Sequence, residues 1–345
     1  MRPIQLPQDE LPHKNIIEWW YFHGHLQTKK KEKFSFMTCF FKIDLERSKV
    51  IKYVPNAFLR WFLPLIDGRI VHAHLVDLKN KKYLTHYHHM PGKIEFQQYE
   101  EIKKLGLHYK ESELKEPHKF EYDLSLDSKD FGWSLNLKNK KTPLMQGPRN
   151  QGWLDFGVDK SYYYTLSNMD INGSIKIKGK TKKVTGKGWM DHQWGNFSGL
   201  GAGWTWLGIQ LNDNTEYMLF KVKYNKQKKV YKLINASYPD GSQGTTYNYT
   251  LKPLEFWTSP VTKQKYGIKW ELKFKDKKQV KLIIKSSLPN QEMHDQRMAP
   301  YYEGDCDVTG TIGRKKVKGK AFLEVVDYQL KWLEKFLHTE IKKKL

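Results

Sequence analysis

The chain has 345 residues, longer than most single hydrophobic cores, and its 39% apolar and 14% aromatic content suffices for two cores of ordinary size while excluding disorder over most of the length. Its 60 Lys and Arg against 37 Asp and Glu leave a formal charge of +23, which raises nucleic acid and anionic membranes as partners. The lysines fall in short clusters (KKKEK at 29–33, KNKK at 79–82 and 138–141, KFKDKK at 273–278, GRKKVKGK at 313–320) between apolar-alternating segments, a pattern of solvated hairpin ends and guarded sheet edges that argues against a nucleic-acid groove.

The N-terminal MRPIQLPQDELPHKN lacks the apolar run of a secretory signal, and no stretch approaches 18 uninterrupted apolar residues, so the expected location is cytoplasmic, with contact to anionic membranes from that side as an alternative. IIEWWYFHGHL, residues 16–26, follows. Its large aromatics at Trp19, Trp20, Tyr21 and Phe22 occupy both faces of a strand, which predicts burial on both sides and a need for a partner at Glu18. Period-two alternation continues in FSFMTCFFKI at 34–43, YDLSLD at 122–127, WSLNLK at 133–138, SIKIKG at 174–179, YMLFKVKY at 217–224 and WELKFKD at 270–276. These are strands with one wet face, so a barrel or sandwich is expected and a parallel α/β sheet is not. Small closed barrels enclose one apolar ligand.

Cys39 and Cys306 have no CxxC partner and read as free core thiols of a reducing compartment. The pairs His23-x-His25, His72-x-His74 and His86-x-His88 each place two rings on one strand face, but no stretch supplies further ligands, so no metal is expected. No Walker loop, dinucleotide fingerprint or G-x-S-x-G is present, and no cofactor is expected.

SIKIKGKTKKVTGKGW reads as one hairpin, with its turn near Gly179 to Lys183, that delivers the densest chemical stretch of the chain, Trp189-Met190-Asp191-His192-Gln193-Trp194-Gly195. On a strand, Asp191 and Gln193 share one face while Met190, His192 and Trp194 share the other, so the acid and the imidazole cannot line one cavity unless a bulge intervenes. An inward His192 beside Trp194 gives a polar handle in an aromatic box. An inward Asp191 would be desolvated, raised in pKa and usable as a general acid, unless it serves as structure by capping a turn or accepting an indole N–H. The same rhythm, V-x-G-x-[GA] followed by an aromatic and an acid, occurs at 184–191 and at 317–324; a duplicated all-β unit and chance in a Lys-rich β protein both account for it. YYEGD, with Tyr301, Tyr302, Glu303 and Asp305, is a further carboxyl-aromatic set. Leu330, Leu333, Phe336 or Leu337, and Ile341 recur at helical spacing, predicting a C-terminal helix over 328–345 that flanks or plugs a barrel, or else lies on a membrane.

EWWYFHGHL, VHAHLVD at 71–77, SYYYTLSNMDINGSI at 161–175, VTGKGWMDHQWG at 184–195, FWTSPVTKQKYGIKW at 256–270 and YYEGDCDVTGTI at 301–312 together resemble the CrtC/AttH-like, lipocalin-like family, which includes carotenoid 1,2-hydratases and kievitone hydratase-like proteins. The resemblance implies two tandem antiparallel β-barrel domains, residues 1–195 and 196–345, and a lipophilic partner such as an isoprenoid, polyene or lipid. It further implies a cofactor-free hydro-lyase or isomerase that adds water across a C=C bond, or alternatively a non-catalytic carrier or sensor. In the hydratase reading Asp191 is the acid and His192 positions water; Trp189, Trp194, Trp204 and Trp206 supply aromatic walls, supported by Glu18, Trp19, Trp20 and Tyr217. The family's Tyr-x-Asp corresponds here to Tyr217-Met218-Leu219, so an acid is missing where the resemblance calls for one, although Glu216 is adjacent.

Overall fold

A computed structural model of the chain describes residues 1–44, 68–91, 104–157, 160–197, 202–224, 230–295 and 298–326. Among them the regular structure is strand, with two single 3-10 turns, Gln8–Glu10 and Pro148–Asn150, and no α-helix. The C-terminal helix expected over 328–345 falls outside the described residues and is not borne out. No helix among the described residues is long and apolar enough to cross a membrane.

The chain forms two compact units, Met1–Ser198 with Asn235–Thr245, and Gly199–Ile234 with Thr246–Leu345. The first unit thus includes a segment that the sequence assigned to the second half. Specific polar contacts hold it there: Gly147 N–H donates to Asn235 Oδ1 at 2.9 Å, Asn235 Nδ2 donates back to the Gly147 carbonyl at 3.0 Å, and Gln243 Nε2 donates to the Pro143 carbonyl at 2.8 Å.

The first sheet contains β1 (Ile17–Gln27), β2 (Lys33–Ile43), β3 (Gly68–Asp77), β4 (Lys82–Pro91), β5 (Gly106–Tyr109), β6 (Ser112–His118), β7 (Glu121–Asp127), β8 (Phe131–Asn139), β9 (Leu144–Met145), β10 (Trp153–Asp155), β11 (Lys160–Ile177) and β12 (Lys180–Gly195). Its order is β4-β3-β2-β1-β12-β11-β8-β7-β6-β5, with β9 and β10 beside β11, and it curls into a nearly closed barrel. Strand twist supplies the curl. The inner face carries Trp20, Phe22, Phe36, Phe40, Leu124, Leu137, Tyr164, Met190 and Trp194, all within the hydrophobic core.

The second sheet contains β13 (Ala202–Leu211), β14 (Glu216–Tyr224), β15 (Val230–Ser237), β16 (Gln243–Thr246), β17 (Tyr249–Thr258), β18 (Lys265–Lys275), β19 (Gln279–Ser286), β20 (Glu292–Met293), β21 (Tyr301–Ile312) and β22 (Lys315–Val326). It runs β16-β15-β14-β13-β22-β21-β19-β18-β17, with β20 beside β21, and is a half-barrel where a second closed barrel was expected. Cys39 and Cys306 are both buried free thiols.

The β11–β12 hairpin turns on Lys178 and Gly179, both at positive φ (47° and 76°), so the turn is tighter than the expected Gly179–Lys183. Positive φ at both central residues is the two-residue turn that matches strand twist, which lets KTKK run on as strand.

Candidate functional site on the β12 strand

Strand β12 lies between β1 and β11, and its alternation is unbroken over Trp189–Gly195: Trp20 and Tyr164 lie opposite His192, while Tyr21 and Thr165 lie opposite Asp191. Acid and imidazole therefore point to opposite faces of one buried strand. The His192 face looks into the barrel core. The Asp191 face is buried as well, through Tyr21, Tyr163, Thr165 and Trp189, as the aromatic-on-both-sides reading of β1 requires.

On the inner face Glu18, itself fully buried, is the centre of a charged knot. Its Oε1 meets His13 Nδ1 at 2.7 Å and His192 Nε2 at 2.9 Å, and its Oε2 accepts from the His13 backbone N–H at 2.8 Å and lies 3.0 Å from Lys42 Nζ. Burial pushes the Glu18 carboxyl up, but the two imidazoles and the Lys42 charge overcome it and hold it well below the usual carboxylate range. Burial also pulls His192 down to about 4 against the attraction of Glu18, so its ring is neutral at pH 7. His13 moves upward, because Asp9 and Glu18 together outweigh its desolvation. Asp9 is fastened in turn by Arg2 Nη1 and Nη2 at 2.7 and 2.5 Å and by the Gln5 N–H at 2.6 Å.

The rings complete this end of the barrel: His13 stacks on Trp194 with centroids 4.2 Å apart, and Trp20 stacks on His192 at 4.7 Å. Trp20 donates its indole N–H to the Glu10 carbonyl at 3.0 Å, and the Tyr122 hydroxyl bonds the Glu10 carboxyl. Burial, reinforced by neighbouring Glu116, pushes Glu10 up to about 9, so it is a neutral acid at pH 7. Residues 2–13 are thus tied to the strands through Trp20 and Tyr122 on Glu10 and Glu18 on His13, while Asp9 is bonded within the segment itself.

His13, Glu18 and His192 bring three ligand-type atoms within 4.8 Å of one another, none of them from the His-x-His pairs. This set does not suit a metal ion. The Lys42 ammonium already occupies the cation's place beside Glu18, and each His nitrogen facing the carboxylate is used in a hydrogen bond.

On the other face Asp191 collects three donors: the Thr165 hydroxyl to Oδ1 at 2.5 Å, the Trp189 indole N–H to Oδ1 at 2.9 Å, and the Tyr163 hydroxyl to Oδ2 at 2.6 Å. Gln146 Nε2 donates to Thr165 Oγ1 at 2.7 Å and sets that hydroxyl's direction. Complete burial pushes the Asp191 carboxyl up to about 7 even though Thr165, Tyr163 and Trp189 favour the ionised form. A group poised there can give a proton at neutral pH and take it back. Trp189 is stacked on His23, with centroids 5.8 Å apart. Beside it, between Leu166 and Met169, β11 carries a bulge, an irregularity that re-aims side chains next to functional sites.

The structure therefore separates the two residues expected to act together. Asp191 has Trp189 on its face and Trp19 on the same face of β1, opposite Gln193. His192, Glu18, Trp20 and Trp194 belong to the inner knot, so His192 is held by Glu18 and does not position water for Asp191. Trp204, Trp206 and Tyr217 belong to the second unit. There Trp204 donates to Glu324 Oε1 at 2.7 Å and Trp206 is buried on the same face of β13, while Tyr217, opposite Ile209, is on the other face with its ring against Phe274. Tyr217 therefore does not share a wall with the two indoles. Residues missed by sequence reasoning are Asp9, Glu10 and His13, which lie in a segment without strand periodicity, and Tyr163 and Thr165, whose alternation with Asp191 across a hairpin could have revealed them.

The AttH-like family pattern matches residues 1–328. The chain belongs to the AttH-like family. Kievitone hydratase of Fusarium solani subsp. phaseoli is 25% identical over 185 residues, which is 51% of this chain and 51% of that protein, so the match spans about half the length of the relative. Among solved structures, an AttH protein of Nitrosomonas europaea has a TM-score of 0.78 at 22% identity, covering 95% of this chain and 98% of that one. Kievitone hydratase of Nectria haematococca has a TM-score of 0.75 at 14% identity, covering 94% and 93%. These structures share the fold with this AttH-like chain. Its own site residues carry any statement about chemistry.

Proposed function

We propose that this AttH-like protein is a cofactor-free hydratase that adds water across a C=C bond of a hydrophobic isoprenoid or polyene, with Asp191 as proton donor. The observation that carries the reading is a fully buried carboxyl, raised to about 7 by its surroundings and ringed by Tyr163, Thr165 and Trp189. The relationship to kievitone hydratase supports the same reaction class.

Asp191 transfers its proton to the less substituted alkene carbon, and the π electrons form the new C–H bond, leaving a tertiary cation. Water adds to the cation through an oxygen lone pair, and the proton released from the resulting oxonium returns to the Asp191 carboxylate. Indole and phenol faces such as those of Trp189 and Tyr163 shelter the cation, at about 2 kcal/mol or more per desolvated ring. The Tyr163 and Thr165 hydroxyls stabilise the carboxylate left after proton transfer, by the donor geometry of an anion-stabilising site.

A carrier reading has one observation in its favour. Both Asp191 oxygens are already engaged by protein donors, as in a structural knot. Organic extraction of the purified protein, mass spectrometry of the extract and incubation of the recovered compound with fresh protein in oxygen-18 water separate the two. Gain of one labelled water by wild type and none by Asp191→Asn is the hydratase result. An unchanged compound with wild type is the carrier result.

A further inference from the structure

Six large apolar side chains are exposed among the described residues, and four of them, Tyr247 (47%), Leu254 (42%), Phe256 (50%) and Val261 (64%), fall within one stretch of the second unit. That stretch contains β17, the terminal strand of its sheet path, and the turn into β18. It is surrounded by cations: residues 247–285 hold ten lysines against three acids. Lys252, Lys263 and Lys265 are exposed, and Lys265 Nζ stands 4.5 Å over the Phe256 ring.

The outward face of β18 and β19 sets Lys269 opposite Lys285 and Lys273 opposite Lys281. Like charges directly opposite are destabilising across a sheet. Glu255, at 2.5 Å from Lys269, and Glu271, at 2.6 Å from Lys273 and 3.8 Å from Lys281, offset them locally, and Asp307 of β21 lies opposite Lys285.

Guarding of an edge strand explains part of this. Pro253, the irregular register around Glu255 and the lysines all hinder pairing with another strand. They give no reason to expose Leu254, Phe256 and Val261. A nucleic-acid surface explains the lysines, but aliphatic Leu254 and Val261 offer no face on which a base would stack. Apolar side chains set among lysines fit the boundary between lipid headgroups and acyl chains, where both kinds of group are satisfied at once.

We propose that the β17–β18 hairpin docks on an anionic lipid bilayer, with Leu254, Phe256 and Val261 entering the interface and Lys252, Lys263 and Lys265 meeting the headgroup phosphates. This stands apart from the reaction assigned to Asp191, and its test needs no turnover.

The test is co-sedimentation of the full chain with phosphatidylserine–phosphatidylcholine vesicles and with pure phosphatidylcholine vesicles. The wild type is expected to bind the anionic vesicles, and the triple variant Leu254→Ser, Phe256→Ser, Val261→Ser and the double variant Lys263→Glu, Lys265→Glu each to lose about tenfold or more. Lys180→Glu, at the start of β12 in the first unit, is expected to bind as wild type. Unchanged melting temperatures establish that the variants fold. Failure of the wild type to bind anionic vesicles overturns the proposal, as does a Lys180→Glu loss equal to that of the double variant. Wild-type binding by the triple variant alongside loss in the lysine double variant also overturns it and points to a polyanion such as nucleic acid.

Discussion

The two units share one pairing frame and use it differently. In each, the first strand pairs with the last, which is joined to its predecessor by a two-residue hairpin turn. Gly186 lies opposite Leu26 and Ile171; Gly319 lies opposite Leu211 and Val308. A Cβ would stand 2.1 Å from the His25 carbonyl oxygen at Gly186 and 2.2 Å from that of Gln210 at Gly319. The glycine in the repeated V-x-G thus serves the same close backbone approach twice, which favours duplication over chance as the source of the echo.

Five residues beyond each glycine stands an acid that accepts an indole N–H, Asp191 from Trp189 and Glu324 from Trp204. There the likeness ends. Opposite Asp191 is Thr165, a donor; opposite Glu324 is Glu303, another acid. Across the inner knot, Glu18 faces Lys42, whereas the same register in the second unit sets Gly203 opposite an exposed Lys223, with Val325 in the place of His192. The bulge between Leu166 and Met169 interrupts β11 beside the site, and the register of β21 with β22 is uninterrupted. The shared frame therefore preserves backbone spacing, while chemistry follows the side chains that reach each acid.

The largest effects break this comparison at its most different point. Glu18→Gln should destabilise the protein by about 3–5 kcal/mol, because Lys42 loses its buried counter-charge, whereas Lys223→Gln in the second unit should leave the melting temperature unchanged; thermal melts check both. At the equivalent acids, Asp191→Asn should lower turnover of an extracted substrate by about 10²–10⁴-fold while Glu324→Gln leaves it intact, and the reverse result would move the chemistry to the second unit. Where the units agree, Gly186→Ala and Gly319→Ala should each cost about 1–3 kcal/mol through overpacking against a carbonyl, measured by denaturant unfolding.

The pH response is smaller and should again be concentrated in the first unit. His192, lowered to about 4, and Glu18 and Asp9, both lowered, bind fewer protons folded than unfolded, so stability falls with pH through His192 below about 6.5 and through Glu18 and Asp9 only below the ordinary carboxylate range. Asp191 and Glu10 are raised, to about 7 and about 9, and His13 is also raised; these groups bind more protons folded, so their contribution is lost as pH rises through those values. Stability should peak between the two limbs, and Asp191→Asn should flatten the fall that runs from the ordinary carboxylate range up to about pH 7. Hydrogen exchange at acid pH should open β1 and β12 before β13 and β22.

Local pattern settled much of this protein. Side chains alternate with period two whatever surrounds them, so the strands at 34–43, 122–127, 133–138, 217–224 and 270–276, the all-β class and the opposed faces of Asp191 and His192 were legible in the chain itself. The aromatic run of residues 16–26 likewise announced that β1 is buried on both faces. Only tertiary structure decided which face holds which network, that the second sheet stops at a half-barrel, and that Tyr217 turns away from Trp204 and Trp206. It also decided the charge states. A buried acid is set by desolvation against the donors that reach it, and those donors come from afar: Tyr163 and Thr165 to Asp191 from a neighbouring strand, and His192 to Glu18 across 174 residues. Sequence carries the identities of such groups, but their separation in space, on which every one of these balances depends, exists only once the strands are paired.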